Sequence, residues 1–208
     1  MTRKITYAKA GVNRILRKES KKALSLLEST YSFCDMIIHL PYGKVFSAFG
    51  DTYLDFVIEG VGTKVLVAQL AEKYDTIGID AVAMAVNDVI RSGAKPLAIA
   101  DNIHAQISSK SLIRALIEGI GRGACEAECP VVSGEIGDVA EVIKGIKEGE
   151  GFDIVISVIG TVPKEKLILG RKIKAGDVIV GLRSSGVHSN GISLVRKILF
   201  KHWGGKYE

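Results

Sequence analysis

The segment FDIVISVIGTV, residues 152–162, constrains the fold more than any other part of the sequence. Nearly all of its residues are apolar, and its length suits a strand. The segment therefore predicts a buried strand that is covered on both faces.

Other strands and helices are predicted around this segment without strict alternation. The predicted strands are residues 52–59, 96–106, 129–135 and 178–184. The predicted helices are residues 12–30, 64–73, 80–92 and 109–127, and one more beginning near residue 190. Ser108 or Ser109 is expected to cap the helix at 109–127. This mixture predicts an α+β or mixed α/β fold.

Composition excludes several classes of protein. Hydrophobic residues make up 47% and charged residues 25% of the chain, which is ordinary globular composition. There is no run of about 18 apolar residues, and the basic N-terminus lacks the apolar core of a secretion signal. We therefore expect a cytoplasmic protein that does not cross a membrane. Cys125 and Cys129 are expected to be a buried or half-buried pair of thiols, with a metal pair as the alternative.

Positive charge is concentrated in the first part of the chain. Residues 1–50 contain nine Lys or Arg and three acids, whereas the remainder contains 19 and 20. A basic segment of this kind is either a solvated helix face or a nucleic-acid surface. We favour the solvated face and expect no nucleic-acid partner, because no aromatic residues are interleaved with the basic ones as in a stacking platform.

The loop SSGVHSNG, residues 184–191, precedes an amphipathic helix and consists almost entirely of small and polar residues. The first backbone N–H groups of a helix lack intrahelical partners, and the helix dipole is positive there. Serine hydroxyls, His188 and Asn190 would add further donors, which is the composition of a phosphate or carboxylate cradle. The alternative is a strand-to-helix turn in which Asn190 caps the helix.

The predicted helix at 80–92 carries a polar stripe. Asp80 is expected at its N-cap, and Asn87 lies within about 20° of Asp80 around the helix axis. Asp88 is about 80° from Asp80 and roughly 12 Å further along the axis, so the two cannot share one metal unaided. An exposed helix face is the alternative.

Two further segments place acids at predicted strand ends. EGVGTK, residues 59–64, brings Glu59 and Lys64 next to two glycines, although it lacks the spacing of a P-loop. VVSGEIGD, residues 131–138, places Glu135 at a strand exit, and ordinary turns explain both segments equally well. Together, these acid-bearing and glycine-rich strand ends suit a Mg²⁺–nucleotide and a second, phosphorylated ligand.

Taken in order, four segments resemble one known family, namely EGVGTK, DTIGIDAVAMAVNDVIRSGAKPLAIAD, SGE and SSGVHSNGISLVRKIL. This family is that of the phosphoribosylformylglycinamidine cyclo-ligases, the aminoimidazole ribonucleotide synthetases of purine biosynthesis. The match runs from about Tyr7 to Leu199. The wider superfamily includes formylglycinamidine ribonucleotide synthetase, selenophosphate synthetase, thiamine-phosphate kinase and a hydrogenase maturation factor, which the HSNGxSLVRK run resembles less closely.

The resemblance implies an ATP-dependent ligase that uses Mg²⁺. ATP would phosphorylate the amide oxygen of formylglycinamidine ribonucleotide, and attack by the ring nitrogen would then give aminoimidazole ribonucleotide. Catalysis would consist mainly of charge neutralisation and positioning. The alternatives are another reaction of the superfamily, or a fragment that binds nucleotide or dimerises without catalysis.

The resemblance also implies roles for individual residues. The implied catalytic residues are Asp80, His188 and Lys64. The implied nucleotide-binding residues are Glu59, Gly60, Gly62, Thr63, Lys64, Asp80, Asn87, Asp88, Asp101 and Glu135. The implied metal ligands are Glu59, Asp80, Asp88 and Glu135. The implied substrate-binding residues are Ser184, Ser185, Gly186, His188, Ser189 and Asn190.

The sequence departs from the family pattern at three places. Glu59 stands where the family usually has Asp, and it could still bind Mg²⁺. The family's Gly-Gly-Glu-Thr is replaced by residues 133–136, SGEI, so the threonine hydroxyl and its phosphate contact are missing. The glycine-rich segment that the family has before the first strand is reduced here to YGKVFSAFGD, residues 42–51, which argues against a nucleotide flap at this place.

The resemblance implies three regions along the chain. These are a basic segment at 1–50, an ATP-binding and dimerising domain at 51–167, and the beginning of a second α/β domain at 168–208. We expect a homodimer in which the N-terminal domains share a β-barrel. Family members continue for over a hundred residues more, so we expect a fragment, a split enzyme whose second domain comes from a separate chain, or a degenerate relative.

Overall fold

A six-stranded sheet forms the centre of the structure, a computed structural model that describes residues 5–205. The outermost residues of the predicted regions 1–50 and 168–208 lie outside this range. The strands are β1 (Ile37–His39), β2 (Lys44–Phe49), β3 (Thr52–Gly60), β4 (Lys95–Ala105), β5 (Val131–Asp138) and β6 (Phe152–Pro163). Their order across the sheet is β1-β2-β3-β6-β4-β5.

Five α-helices accompany the sheet in the described part of the chain. They are α1 (Arg14–Ser20), α2 (Lys64–Leu70), α3 (Ile77–Ile90), α4 (Lys110–Glu126) and α5 (Ile192–Leu199). Short 3₁₀ helices follow β6 at Lys164–Lys166 and α5 at Lys201–Trp203. No helix within residues 5–205 combines the length and apolarity needed to cross a bilayer. The mixed α/β class expected from the sequence is confirmed.

Strand β6 lies between β3 and β4 and pairs antiparallel with both, whereas β4 and β5 are parallel. Every second residue of β6 from Phe152 to Val162 is buried, and the residues between them are only half-buried. In the single chain this strand is fully buried on one face only, so the cover expected on its second face is not supplied by the described residues. Helix α3 packs on one face of the sheet and α4 packs on α3, so the second face is left open.

The core lies between the sheet and the α3–α4 pair. It contains Ile99 and Ile156 from the sheet, Val82 from α3 and Leu116 from α4. At Gly78 a Cβ atom would lie 2.6 Å from the Gly119 carbonyl carbon, so glycine alone allows these two helices to come this close. This contact fixes the position of α3, which carries three of the predicted site residues.

The N-terminal region differs from the single helix expected at 12–30. Helix α1 ends at Ser20 and continues as a 3₁₀ helix over Lys21–Phe33 with no buried residue. The hydroxyls of Ser25 and Thr30 each donate to a carbonyl three residues earlier, as the tighter helix favours. The sequence also failed to indicate β1 and β2, which form an antiparallel pair beside β3.

The strand predicted at 178–184 does not form. Val178, Ile179 and Leu182 are 87%, 96% and 93% exposed, and no described strand lies beside them. A strand needs a neighbour for its backbone hydrogen bonds, and periodicity alone does not supply one.

Three local predictions are also corrected. Helix α3 begins at Ile77, so Asp80 lies in its first turn instead of capping it. Gly191, with φ 78°, occupies the N-cap of α5 in place of Asn190. Cys129 is buried, but Cys125 is exposed, so the two thiols are not both sheltered. Ser109 does cap α4, since its hydroxyl accepts from the Leu112 N–H.

Candidate active site

Three segments meet where β3 ends. The strand leads through Gly62, whose φ is +56°, into Thr63 at the start of α2. The Thr63 and Ser193 hydroxyls lie 3.1 Å apart, and this contact joins the start of α2 to the first turn of α5. The loop that precedes α5 is therefore held close to the 59–63 turn, although the two are separated by 130 residues.

A cavity of about 420 Å³ lies between this loop and α3. Most of its lining residues are among the site residues predicted from the sequence. The lining residues are Glu59, Asp80, Ala83, Met84, Asn87, Asp88, Ser185, His188, Ser189 and Asn190. The structure thus brings the polar stripe of α3, the end of β3 and the serine-rich loop to one place.

Glu59 and Asp88 form a carboxylate pair in this cavity. Burial raises the pKa of Glu59, and the Asp88 charge and a hydrogen bond with Asp88 raise it further. Arg91 forms an ion pair with Asp88 at 2.8 Å and opposes the shift. Two neighbouring carboxylates that repel each other are suitable ligands for a hard divalent cation such as Mg²⁺.

Lys64 and Asp80 are already paired with each other. The Lys64 ammonium lies 2.6 Å from an Asp80 carboxylate oxygen, and the two side chains are 19% and 32% exposed. Lys64 was expected to neutralise a phosphate and Asp80 to bind a metal. In this arrangement Lys64 neutralises Asp80 just as Arg91 neutralises Asp88, so a bound cation would compete with a basic side chain at both acids.

The loop before α5 divides into residues that line the cavity and residues that shape the loop. Ser184 lies outside the lining, and its hydroxyl donates to the Gly186 carbonyl and lies 3.0 Å from His188 Nε2. The Gly186 N–H in turn donates to the Ser184 hydroxyl. Ser184 and Gly186, both predicted to bind substrate, therefore hold the loop and orient the His188 ring toward the cavity.

Asp101 and Glu135 face opposite sides of the sheet. Asp101 of β4 and Glu59 of β3 both pair with Ile156 of β6, so they share the face covered by α3. Burial raises the pKa of Asp101. Glu135 pairs with Asn102, one residue further along β4, and successive strand residues alternate between faces. Glu135 thus points to the open face, away from the other predicted metal ligands of this chain.

A second cavity, of about 570 Å³, adjoins the first at Glu59. The predicted residues Gly60, Gly62 and Thr63 line it on one side. Arg14 and Arg17 of α1 also line it, and the sequence analysis missed both. Their spacing of three residues within a basic helix could have indicated a shared face.

The residues present can hold part of a Mg²⁺ coordination shell. Within residues 5–205, no group of three or more His, Cys, Asp or Glu side chains is arranged around a possible metal position. Mg²⁺ commonly takes one or two carboxylates together with water and substrate phosphates. Glu59 and Asp88 fit that pattern, in which a nucleotide would supply the remaining oxygens.

Residues 44–162 match the model of one protein family, described as AIR synthase related protein, N-terminal domain. The chain belongs to the AIR synthase related protein family. The family relationship inferred from the four sequence segments is thereby confirmed.

Curated relatives carry the name phosphoribosylformylglycinamidine cyclo-ligase. The Thermococcus kodakarensis protein is 38% identical over 98% of this chain, and the Methanocaldococcus jannaschii protein is 41% identical over 94%. The chain spans 61% and 55% of the lengths of these two relatives. Among solved structures, T. maritima PurL complexed with ATP aligns with a TM-score of 0.49 at 18% identity, covering 61% of this chain and 21% of that one.

Proposed function

We propose that this chain is the ATP-binding part of an enzyme that converts formylglycinamidine ribonucleotide into aminoimidazole ribonucleotide. The main support for this proposal is that Glu59, Asp88 and the 185–190 loop line one cavity. The curated relatives are named for this reaction and match nearly the whole chain. The proposed ATP-binding unit, residues 51–167, supplies the acids, and the region 168–208 supplies the loop.

The proposed roles follow from the positions of the side chains. Glu59 and Asp88 would hold Mg²⁺, which when bound neutralises charge on the nucleotide phosphates. The glycines of the 59–63 turn line the second cavity, where they let the phosphate oxygens of a ligand approach backbone N–H groups. On the opposite wall, Ser189 and Asn190 donate hydrogen bonds to substrate, and His188 is oriented by Ser184. Such a site acts by positioning and by electrostatic stabilisation.

The direct test is phosphate release by the purified chain with ATP and Mg²⁺, with and without formylglycinamidine ribonucleotide. We expect release only when the ribonucleotide is present. Asp88→Asn and Asp80→Asn should abolish Mg²⁺-dependent ATP binding, measured by calorimetry. Asp51→Asn is the control, because Asp51 lies on the exposed turn between β2 and β3. Unchanged ATP binding in Asp88→Asn would remove the carboxylate pair from the site.

We also propose that two copies associate through the open face of the sheet, as in a shared barrel. Phe56 and Ile58 of β3 point to this face and are 54% and 61% exposed, which is unusual for neighbouring large apolar residues. Glu135 lies on the same face, so association would bring it toward a second subunit. Light scattering at micromolar concentration should give twice the chain mass, and Phe56→Glu should give the monomer mass. A monomeric mass for the unaltered chain would contradict this proposal.

A further inference from the structure

The N-terminal segment forms one wall of the second cavity. The Lys197 ammonium donates to the Lys9 carbonyl at 3.1 Å, which attaches this segment to α5. A Cβ atom at Gly191 would lie 3.1 Å from the Tyr7 hydroxyl, so Tyr7 packs closely on the start of the same helix. These contacts place α1, which follows directly, beside the loop at 185–190.

Arg14 and Arg17 extend from α1 to the cavity. They are three residues apart, so they lie on the same side of the helix. Within the described chain neither guanidinium forms an ion pair with a carboxylate at short range, although Arg14 lies 5.8 Å from the centre of the Tyr7 ring.

The opposite wall supplies neutral hydrogen-bond donors. Ser189 is only 8% exposed and lines both cavities, yet its hydroxyl has no hydrogen-bond partner among residues 5–205. Asn190 and Thr63 lie beside it. Among the described lining residues Glu59 is the one carboxylate, and it stands at the border with the first cavity.

A wall of two guanidinium groups facing neutral donors matches a phosphate monoester. Guanidinium groups bind phosphate oxygens in a bidentate manner, and such charge-assisted hydrogen bonds are about twice as strong as neutral ones. A nucleotide triphosphate with its cation is better placed at the carboxylate pair of the first cavity. The two cavities therefore divide two phosphorylated ligands between them.

We propose that Arg14 and Arg17 bind the phosphate monoester of the ribonucleotide substrate and make the enzyme select the nucleotide over its nucleoside. This inference rests on the proposed function for the identity of the substrate. The two arginines would give α1 a role in substrate specificity, whereas the sequence pattern alone indicates an ordinary solvated helix face.

The test compares two double variants of the 208-residue chain. Arg14→Gln with Arg17→Gln removes the proposed contacts, and Lys18→Gln with Lys21→Gln removes the same charge from exposed residues outside the cavity lining. Calorimetry measures the affinities for formylglycinamidine ribonucleotide, its ribonucleoside, ribose 5-phosphate and ATP. Far-UV circular dichroism verifies that each variant is folded.

The arginine variant should bind the ribonucleotide and ribose 5-phosphate about 10- to 100-fold more weakly, as expected for lost charged hydrogen bonds. Its affinities for the ribonucleoside and ATP should stay within about twofold, and the lysine variant should resemble the unaltered chain. An equal loss in both variants, or an equal loss for ribonucleoside or ATP, would overturn the proposal.

The outcomes also separate this proposal from the proposed function. If ribose 5-phosphate binding depends on the arginines but the unaltered chain does not bind the ribonucleotide, the phosphate site stands and the cyclo-ligase assignment fails. If the ribonucleotide stimulates phosphate release and its affinity is unchanged by the arginine variant, the function stands and the arginine assignment fails. If the unaltered chain binds neither ligand, both are wrong.

Discussion

The contact between α3 and α4 provides a quantitative test of the packing that positions the site. In a Gly78→Ala variant, the new Cβ atom would lie 2.6 Å from the Gly119 carbonyl carbon and 2.7 Å from the Leu116 carbonyl oxygen, and nearer still to the Ile120 nitrogen. All three are backbone atoms of α4, so no side-chain rotation can relieve the overlap. The helices must separate by about 1 Å to reach ordinary van der Waals distances.

The expected magnitude is a net destabilisation of about 2 kcal/mol. Overpacking a close contact costs about 1–3 kcal/mol, and the upper part of that range applies because three backbone atoms are involved. Replacing a helical glycine by alanine returns about 0.5–1 kcal/mol. Gly121→Ala in α4 is the matched control, since its Cβ atom would meet nothing within 4 Å. That variant should be stabilised by about 0.5–1 kcal/mol.

Urea denaturation followed by far-UV circular dichroism measures both variants against the unaltered chain. The free energies of unfolding of the two variants should differ by about 3 kcal/mol, with Gly78→Ala the less stable. Movement of α3 should also displace Asp88 from Glu59 and weaken Mg²⁺-dependent ATP binding. Stabilities of Gly78→Ala and Gly121→Ala within 0.5 kcal/mol, on the order of the additivity error, would refute the close-contact argument.

Three further changes test other parts of the structure. Burial raises the pKa of the Asp55 carboxyl, so the native state binds the carboxyl proton more tightly than the unfolded state does. The free energy of unfolding should therefore fall as the pH rises above about 4. Asp55→Asn should reduce that fall in urea titrations, and Asp51→Asn should not. Gly191→Ala forces alanine to φ 78° and should cost about 1–2 kcal/mol by urea denaturation, whereas a negligible cost would mean that the turn can rearrange. Tyr42→Phe removes the hydroxyl that donates to the Arg91 carbonyl at 2.8 Å, so amide exchange in β1 and β2 should accelerate while α4 stays unchanged.

The sequence predicted the centre of the fold better than its margins. The bounds predicted at 152–162 and 109–127 agree with β6 and α4 to within one residue, because runs and stripes of apolar residues mark elements that pack in the core. The strand expected at 178–184 failed for the opposite reason. Its apolar pattern is present, but pairing depends on a neighbouring strand, which local sequence does not encode.

The candidate site shows the same division between local pattern and tertiary geometry. Glu59, Asp88 and His188 reach one cavity as the family segments implied. Glu135 lies on the other face of the sheet because a change of one residue in strand register reverses the side that a residue faces. Arg14 was missed because only the path of the N-terminal segment over α5 brings it to the site.

The position of β6 has a consequence for how the chain is made. Strands β3 and β4 are not bonded to each other, and each pairs with β6, which is synthesised last of the six. During synthesis, the edges of residues 52–60 and 95–105 that pair with β6 therefore stay unpaired until residues 152–163 have emerged from the ribosome. Because non-local pairings of this kind form slowly, assembly of the sheet is a late event in folding. Until then, the unpaired strand edges are suitable binding sites for chaperones.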